Sequence, residues 1–476
     1  MTATQLESIE PLKVARQFLR SRFTSERALT TLIFWRDAWW HWEHGWLMRS
    51  EAWIQKSLWE FLEDATYEKV MSDGSVAFKR YAPNRSKVSD VCAALEGVCL
   101  IDDQQGAPFW LQPDERPLDS RVAFRDVLVD VAQSGCDEDG TWEWHVEERT
   151  EKHFDVVPGR FDFDPDAECP LWERTVAEWS GQDENWVELL RRWIGYCMLG
   201  HRRYAKWLLM HGKIRGGKGT IGDIVWALMG SPGYIGLSLE DLTDNFGMDG
   251  VEFARVVDIR EVSKAGTAVT ERGSRILKNI VGGDPQTVNV KHVRQRRGVV
   301  LKAAPMMQCN EIPVLPNEGR GLTGKMLVLP FIKSFEGKEN WNLKEDLKRE
   351  LPGIAVWALQ GAVRLEQERD HQAKWPIPRR SQETVRRYHL QNNPFDQFLE
   401  ARFVQRANGF LPTEAIWNLW SAWKRENQVA IQVSRNRIRP ELLRQSSWEI
   451  EEAREAGTGR RGVRGLMIRS EHQDDL

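Results

Sequence analysis

Residues 212–220 read Gly212-Lys213-Ile214-Arg215-Gly216-Gly217-Lys218-Gly219-Thr220. The apolar run 207–210 precedes this stretch, and apolar residues at helical spacing follow it from 221 to 229. A strand, a glycine-rich turn and a helix in this order are typical of a phosphate-binding loop, because glycines let successive backbone N–H groups point at phosphate oxygens. We therefore predict that this loop binds a nucleoside triphosphate; a glycine-rich surface turn is the alternative. The predicted nucleotide-binding residues are Gly212, Gly216, Gly217, Lys218, Gly219 and Thr220.

The loop departs from the usual GxxxxGK[ST] pattern at one position. Gly219 stands where a Mg²⁺-binding hydroxyl is usual, and Thr220 follows one residue later. This Gly-Lys-Gly-Thr variant also occurs in adenylate kinases. We expect Lys218 to reach the β- and γ-phosphates and Thr220 to hold Mg²⁺ through a water.

Composition limits the classes to which the chain can belong. Its 476 residues are 41% hydrophobic and 29% charged, with a net charge of −4. These values predict a soluble globular protein of about two to four domains, and the sequence shows neither a signal peptide nor an apolar run long enough for a membrane helix. The six cysteines lack a C-x-x-C pair, which predicts a location in the reducing cytoplasm, with free thiols rather than a disulfide frame or a zinc site. The acidic balance means that any contact with DNA needs a local basic patch.

A second motif follows the loop at residues 253–262, an apolar strand whose end carries acids. Such a Walker B strand delivers one carboxylate to Mg²⁺ and another that polarises the attacking water. We predict Glu261 as the catalytic carboxylate and Asp258 as a Mg²⁺ ligand. A structural ion pair is the alternative for Asp258.

Further downstream, two short β-type runs flank a basic segment. Its predicted DNA-binding residues are Lys291, His292, Arg294, Arg296 and Arg297. A basic hairpin offers several phosphate contacts, each of which adds salt-dependent affinity for nucleic acid. An ordinary solvated hairpin is the alternative.

Three polar residues complete the predicted catalytic set. Asn310 ends the apolar run 303–310, where it would sense the γ-phosphate and orient the attacking water; a capping role before Pro313 is the alternative. Arg320 and Lys325 precede the next apolar run, 326–331. Either cation could reach a neighbouring subunit's nucleotide, as an arginine finger does.

The flanking regions set the predicted domain boundaries. Residues 34–46 predict a tryptophan-rich hairpin turning at 43–45, and Ser50 caps a helix that carries Trp59 inward. These tryptophans favour a core over a surface that stacks on bases. The alternating aspartates of 161–166 favour a turn-rich linker over a metal site, and 171–204 is helical throughout. Residues 394–476 predict helix, helix, helix and hairpin, the order of a winged helix.

Taken in order, these stretches resemble the phage and plasmid primase–helicase family, the poxvirus-type superfamily 3 helicases of the AAA+ class. The resemblance covers nearly the whole chain. It rests on the phosphate loop together with residues 161–170, 192–199, 277–278, 282–285, 291, 310–313, 329–331, 350–354 and 357.

The resemblance implies an α/β P-loop NTPase of the AAA+ superfamily 3 helicase type. The implied ranges are an α+β N-terminal region (1–165), an ATPase domain with a helical collar (166–370), a linker (371–393) and a winged-helix-like domain (394–476). It further implies an ATP- and Mg²⁺-dependent translocase on single-stranded and replication-fork DNA, acting as a homo-hexamer without a membrane. The paired arginines of the family appear here as Gly324-Lys325, so the finger is either Lys325 or Arg320.

No primase site is recognisable, which implies a separate primase or polymerase as partner. Two other functions fit parts of the sequence. A nucleotide kinase is suggested by Gly-Lys-Gly-Thr, although no lid is recognisable. An ATP-switched replication initiator or loader, which binds DNA without processive unwinding, is suggested by the winged-helix order.

Overall fold

The computed structural model divides the chain into two units, one formed by Met1–Pro313 with Lys325–Pro378 and one by Val314–Gly324 with Arg379–Leu476. It describes residues 4–114, 116–157, 159–245, 247–262, 269–289, 295–313, 315, 319–368, 375–392, 394–427, 433–445 and 448–469. In these ranges, no helix is both long and apolar enough to cross a membrane.

The first part of the first unit is α+β. Its elements are β1 (Gln5–Leu6), α1 (Pro11–Arg22), β2 (Leu32–Trp35), β3 (Ala38–Trp42), β4 (Trp46–Arg49), α2 (Glu51–Leu62), β5 (Thr66–Val70), β6 (Val76–Arg80), α3 (Arg85–Cys99), β7 (Phe109–Trp110), β8 (Arg121–Ala123), β9 (Val127–Asp130), β10 (Gly135–Cys136), β11 (Trp142–Glu143), β12 (Val146–Glu148) and β13 (His153–Phe154). Strands β2, β3 and β4 form an antiparallel sheet, which confirms the predicted turn at 43–45. The Ser50 hydroxyl accepts a hydrogen bond from Trp53 N at 3.3 Å, the predicted cap of α2.

The tryptophans of this hairpin are mainly core residues, as predicted. Trp35, Trp40 and Trp46 are fully buried around Phe154, with ring centroids of neighbouring aromatics 5 to 6 Å apart. The prediction for Trp59 is wrong, because 40% of its side chain is exposed on α2.

The remainder of the first unit is built around one parallel sheet. The chain from 170 to 367 contains α4 (Pro170–Ser180), α5 (Glu184–Met198), β14 (Trp207–Gly212), α6 (Lys218–Met229), β15 (Tyr234–Leu237), β16 (Val256–Val262), α7 (Glu271–Gly282), β17 (Gln286–Val288), β18 (Arg296–Val299), β19 (Ala304–Cys309), α8 (Gly319–Thr323), β20 (Met326–Phe331), α9 (Leu343–Arg349) and α10 (Leu351–Gln367). The sheet has the order β15-β16-β19-β14-β20, and every neighbouring pair in it is parallel. The carboxyl ends of its strands therefore lie at one edge.

The helices beside this sheet pack closely. A Cβ on Gly195 of α5 would lie 2.4 Å from the carbonyl oxygen of Ala358 on α10, so glycine is needed for the two helices to approach. The helix predicted from 171 to 204 is instead α4 and α5. Gly181 separates them, because its φ of 69° ends α4 in the left-handed conformation.

The second unit contains α8, described above, and a small α+β body. Its elements are α11 (Arg379–Asn392), α12 (Pro394–Arg402), β21 (Phe403–Pro412), α13 (Thr413–Glu426), α14 (Ile438–Leu443), β22 (Glu451–Arg454) and β23 (Arg461–Ile468). The predicted helices and hairpin are present in order, and β21 is an additional strand that pairs with β23. Helix α11 occupies part of the predicted linker.

Candidate functional site

The glycine-rich loop connects β14 to α6, and two of its glycines permit no side chain. Gly212 has a φ of 135°, and a Cβ there would lie 2.1 Å from the carbonyl oxygen of Phe331. Gly217 has a φ of 107°, and its Cβ would lie 2.5 Å from the Trp179 ring. The loop is thus pressed against β20 on one side and α4 on the other. Gly219, by contrast, has no atom within 4 Å of a Cβ.

Lys218 begins α6 and folds back over the loop. Its Nζ donates to the carbonyl oxygens of Gly212 at 2.9 Å and Lys213 at 2.7 Å. The side chain is buried, and this burial lowers the pKa of the Lys218 ammonium. The loop therefore holds a cation at its centre, where phosphate oxygens would replace the two carbonyls as partners.

A second segment braces the outside of the loop. Ser334 Oγ donates to the carbonyl oxygen of Ile214 at 2.9 Å, and Phe335 N donates to that of Arg215 at 3.2 Å. The Arg215 guanidinium forms an ion pair with Glu339. These contacts fix the loop before any ligand binds, which reduces the entropy that binding must offset.

The loop opens onto a cleft of about 910 Å³. Helix α4 forms one wall through Arg174, Glu178 and Trp179, and residues 335–344 form another. Trp341 in the second wall is 81% exposed. The volume is in the range of small-molecule and cofactor sites. Lys218, Gly219 and Thr220 all line this cleft.

Asn310 lies in the same cleft. It directly follows β19, which is parallel to β14, so both strands deliver their following residues to one edge of the sheet. Gln308 also lines the cleft. Asn310 is predictable because it ends an apolar strand, whereas Gln308 is not, because it lies within that strand.

Asp258 occupies a buried polar cluster. Its Oδ2 accepts hydrogen bonds from Gln308 Nε2 at 2.7 Å and from Tyr234, and pairs with Arg260 Nε at 2.5 Å. Burial raises the pKa of Asp258. Its Oδ1 is buried with no partner among the described residues, and Asp258 is not part of the described lining of the cleft. Asp258 thus has the geometry of a structural ion pair, which was the alternative to its predicted role as a Mg²⁺ ligand.

The cluster continues to the helix behind the loop. Arg260 contacts Asp223 of α6 at 3.3 Å, and Asp223 Oδ2 pairs with Lys344 Nζ at 2.5 Å. A Cβ on Gly222 would lie 2.5 Å from Gln308 Nε2, so this glycine leaves room for the network. Glu261 is the next residue of β16, and its side chain lies outside the described part of the chain.

The two candidate fingers lie in different units. Lys325 immediately precedes β20, and its carbonyl oxygen accepts from Trp207 N at 3.2 Å at the start of β14. It is therefore at the edge of the sheet opposite the loop. Arg320 lies on α8 in the second unit, and its side chain is outside the described residues.

The basic hairpin consists of β17 and β18, which are antiparallel. Arg297 is exposed. Arg296 instead pairs with Glu252 and, at 2.8 Å, with Asp37, and only 9% of its side chain is exposed. Arg296 thus joins three segments of the first unit, and its guanidinium is engaged within the protein. Lys291, His292 and Arg294 lie outside the described residues.

One part of the site was missed because it depends on contacts between distant residues. The Glu350 carboxylate accepts from Leu171 N at 3.0 Å and Trp172 N at 2.9 Å, and so caps the N-terminus of α4. A Cβ on Gly353 would lie 2.2 Å from the carbonyl oxygen of Glu168. These contacts position α4, which carries Trp179 beneath the loop. Both residues lie in 350–354, a segment on which the family resemblance rests but for which the sequence predicted no role.

Comparison with known proteins adds a likeness of fold. The sequence matches no family model and no curated protein. Among solved structures, an apo structure of the NrS-1 C-terminal region matches with a TM-score of 0.52 and 11% identity, covering 96% of this chain and 100% of that chain. Two further apo structures of that region match over the same shares, with 12% and 11% identity and TM-scores of 0.47 and 0.48. The first match shows that the two chains share a fold.

Proposed function

We propose that this protein is an ATP-dependent DNA helicase or translocase that acts in the replication of a phage, plasmid or other mobile element. The observation that carries the proposal is the convergence of Lys218, Thr220 and Asn310 on one cleft at the carboxyl edge of a parallel sheet. Ligands of open α/β sheets bind at that edge. The order of motifs along the chain adds the family resemblance to this geometry.

Lys218, Asn310 and Glu261 each have a separate role in ATP hydrolysis. Lys218 binds the β- and γ-phosphates, and Asn310 orients the attacking water, which Glu261 polarises. Mg²⁺, when bound, neutralises phosphate charge. Thr220 fits this ion because it lines the cleft beside Lys218, whereas Asp258 pairs with Arg260 and is not part of the described lining of the cleft.

Coupling to DNA requires the basic hairpin and a neighbouring subunit. Lys291, His292, Arg294 and Arg297 contact single-stranded DNA, and Lys325 or Arg320 completes the ATP site of the next subunit in a homo-hexamer. Hydrolysis releases the γ-phosphate contacts and shifts the hairpin, so binding energy drives the movement. A separate primase or polymerase supplies the primers in the host cytoplasm.

The first test is ATP hydrolysis with and without single-stranded DNA. We expect DNA to stimulate the wild type, Lys218→Ala to abolish hydrolysis, and Lys291→Ala or Arg297→Ala to lose mainly the stimulation. Lys213→Ala is the matched control for Lys218, because its side chain is exposed and only its backbone oxygen contacts the ammonium. Hydrolysis that ignores DNA would overturn the translocase proposal and favour an ATP switch or a nucleotide kinase.

A further inference from the structure

Positive charge is concentrated in the second unit. Residues 314–324 and 379–476, which form this unit, contain 18 Lys and Arg against 14 Asp and Glu, whereas the rest of the chain contains 48 against 56. A charge asymmetry of this kind indicates that the basic part has an anionic partner. A particular surface of the second unit should therefore carry this excess of positive charge.

The hairpin of β22 and β23, with its turn at 455–460, carries much of it; we call it the arginine hairpin. Arg454 and Arg461 are directly opposite each other in the antiparallel pairing, and both are exposed. Arg460 lies beside them in the turn and is also exposed. Like charges directly opposite across two strands destabilise a hairpin. The protein maintains this repulsion at an exposed tip.

The acidic residues of the hairpin do not neutralise the repulsion between these arginines. Glu451 lies opposite Arg464, Glu452 pairs with Arg439 of α14 at 2.9 Å, and the Glu455 carboxylate in the turn accepts a hydrogen bond from Thr458 Oγ1. In the part of the chain that the structure describes, Arg454, Arg460 and Arg461 form no ion pair with a carboxylate. Three neighbouring guanidinium groups are therefore available to an external anion.

Shape and composition select among anionic partners. Residues 451–464 contain neither an aromatic side chain nor a histidine on which the bases of a single strand could stack, whereas the basic hairpin of the first unit contains His292. The pairing of β21 with β23 ends at Gly462, so the tip that carries Arg454, Arg460 and Arg461 is two-stranded. A two-stranded tip fits the major groove of duplex DNA, and arginines bind its phosphates. We propose that the arginine hairpin is a duplex-DNA-binding site, separate from the basic hairpin of the first unit. This site acts without ATP and does not depend on the proposed hydrolysis.

The test measures binding of full-length protein to a short DNA duplex by fluorescence anisotropy over a range of salt concentrations, without nucleotide. We expect Arg454→Gln/Arg461→Gln to weaken binding and to reduce the slope of log K against log salt by about 2, since each lost phosphate contact removes roughly one unit. Arg386→Gln/Arg387→Gln is the matched control. It removes the same charge from exposed positions of α11 in the same unit, and we expect the wild-type slope.

Two further readouts exclude trivial explanations. Because the substitution removes a repulsion, we expect the unfolding midpoint of Arg454→Gln/Arg461→Gln to equal or exceed that of the wild type. Arg460→Gln, in the turn outside the strands, tests the site without changing the cross-strand pair, and we expect its slope to fall by about 1. Wild-type slopes in both variants would overturn the proposal. An equal loss of single-stranded DNA binding would overturn its assignment to duplex DNA.

Discussion

At the scale of single residues, neighbouring glycines of the loop meet different surroundings. Gly217 has a φ of 107°, and the Trp179 ring lies against it. Gly219 lies in the first turn of α6, where a Cβ would have no atom within 4 Å. For Gly217→Ala, we expect a cost of about 1–2 kcal/mol from the left-handed conformation alone, in addition to the overlap with Trp179. If the overlap displaces the free loop, and restoring the phosphate-binding conformation costs about 1.4 kcal/mol, nucleotide affinity falls about tenfold.

Gly219→Ala is the matched control. It adds the same methyl group two residues away, where no protein atom lies within 4 Å, so we expect no loss of stability and a helix gain of about 0.5–1 kcal/mol. Titration with a fluorescent ATP analogue measures the affinities, and thermal unfolding measures the stabilities. Equal behaviour of the two variants would contradict the packing described for Gly217.

A buried histidine makes stability depend on pH. His153 is fully buried and neither ring nitrogen has a partner among the described residues, so burial lowers its pKa to about 3. Below pH 6.5 the unfolded chain therefore binds a proton that the folded chain excludes. Stability is complete above that pH and falls as the pH decreases towards 3, by about 1.4 kcal/mol per unit.

His153→Phe retains a ring of similar size and removes this titration. In urea unfolding between pH 6 and 5, we expect the free energy of unfolding of the variant to fall less steeply with decreasing pH than that of the wild type. The two slopes should differ by about one bound proton, or about 1.4 kcal/mol per pH unit. His44→Asn, at an exposed position, is the control and should keep the wild-type slope. Parallel curves for His153→Phe and wild type would show that His153 is protonated in the folded state.

At the scale of elements, α4 connects a distant cap to the proposed nucleotide cleft. Glu350→Ala removes the acceptor of two backbone N–H groups at the N-terminus of α4. We expect a loss of stability of about 1–2 kcal/mol, and weaker nucleotide binding because α4 carries Trp179 under Gly217.

Glu345→Ala provides the comparison within α9. Glu345 is 69% exposed and pairs with Lys348 at 2.6 Å, so its loss should change stability by no more than about 0.5 kcal/mol. Chemical unfolding and nucleotide titration of both variants measure the two effects. A Glu350 variant as stable as the Glu345 variant would mean that α4 does not need this cap.

Local patterns predicted some elements well. The loop between β14 and α6, the turn at 43–45 and the Ser50 cap depend on neighbouring residues, whose preferences are readable in the sequence. The break at Gly181 was missed because apolar periodicity continues across it. Strand β21 was missed because its middle is polar, and its pairing with β23 depends on residues about sixty positions away.

For the candidate site, too, local features of the sequence were predictable and long-range contacts were not. Lys218 and Asn310 were found because each ends or follows an apolar strand, and parallel pairing brings such positions together. The partners of Asp258 and Arg296 were not predictable, since Tyr234, Asp37 and Glu252 come from segments that only the folded chain brings close. Residue type identified these candidates, but long-range ion pairs determine which charges remain available.

At the scale of the whole molecule, the position of Lys325 restricts how it can act. It precedes β20, while Lys218 follows β14, and the two strands are parallel and in register from Trp207 and Met326 onwards. Six residues of strand therefore separate the two edges, about 20 Å at roughly 3.3 Å per residue. A lysine side chain cannot span that distance. Lys325 can complete an ATP site only in a neighbouring subunit.

Mixing subunits tests this arrangement directly. We expect Lys325→Ala to bind ATP but not hydrolyse it, and Lys218→Ala to do neither. In a mixed ring, a Lys325→Ala subunit retains its own Lys218 and can receive Lys325 from a Lys218→Ala neighbour. With random one-to-one mixing, about a quarter of the interfaces in a head-to-tail ring are complete, so we expect hydrolysis to recover to about a quarter of the wild-type rate. Recovery with Arg320→Ala in place of Lys325→Ala would instead identify Arg320 as the finger, and recovery with neither would exclude both residues as the finger.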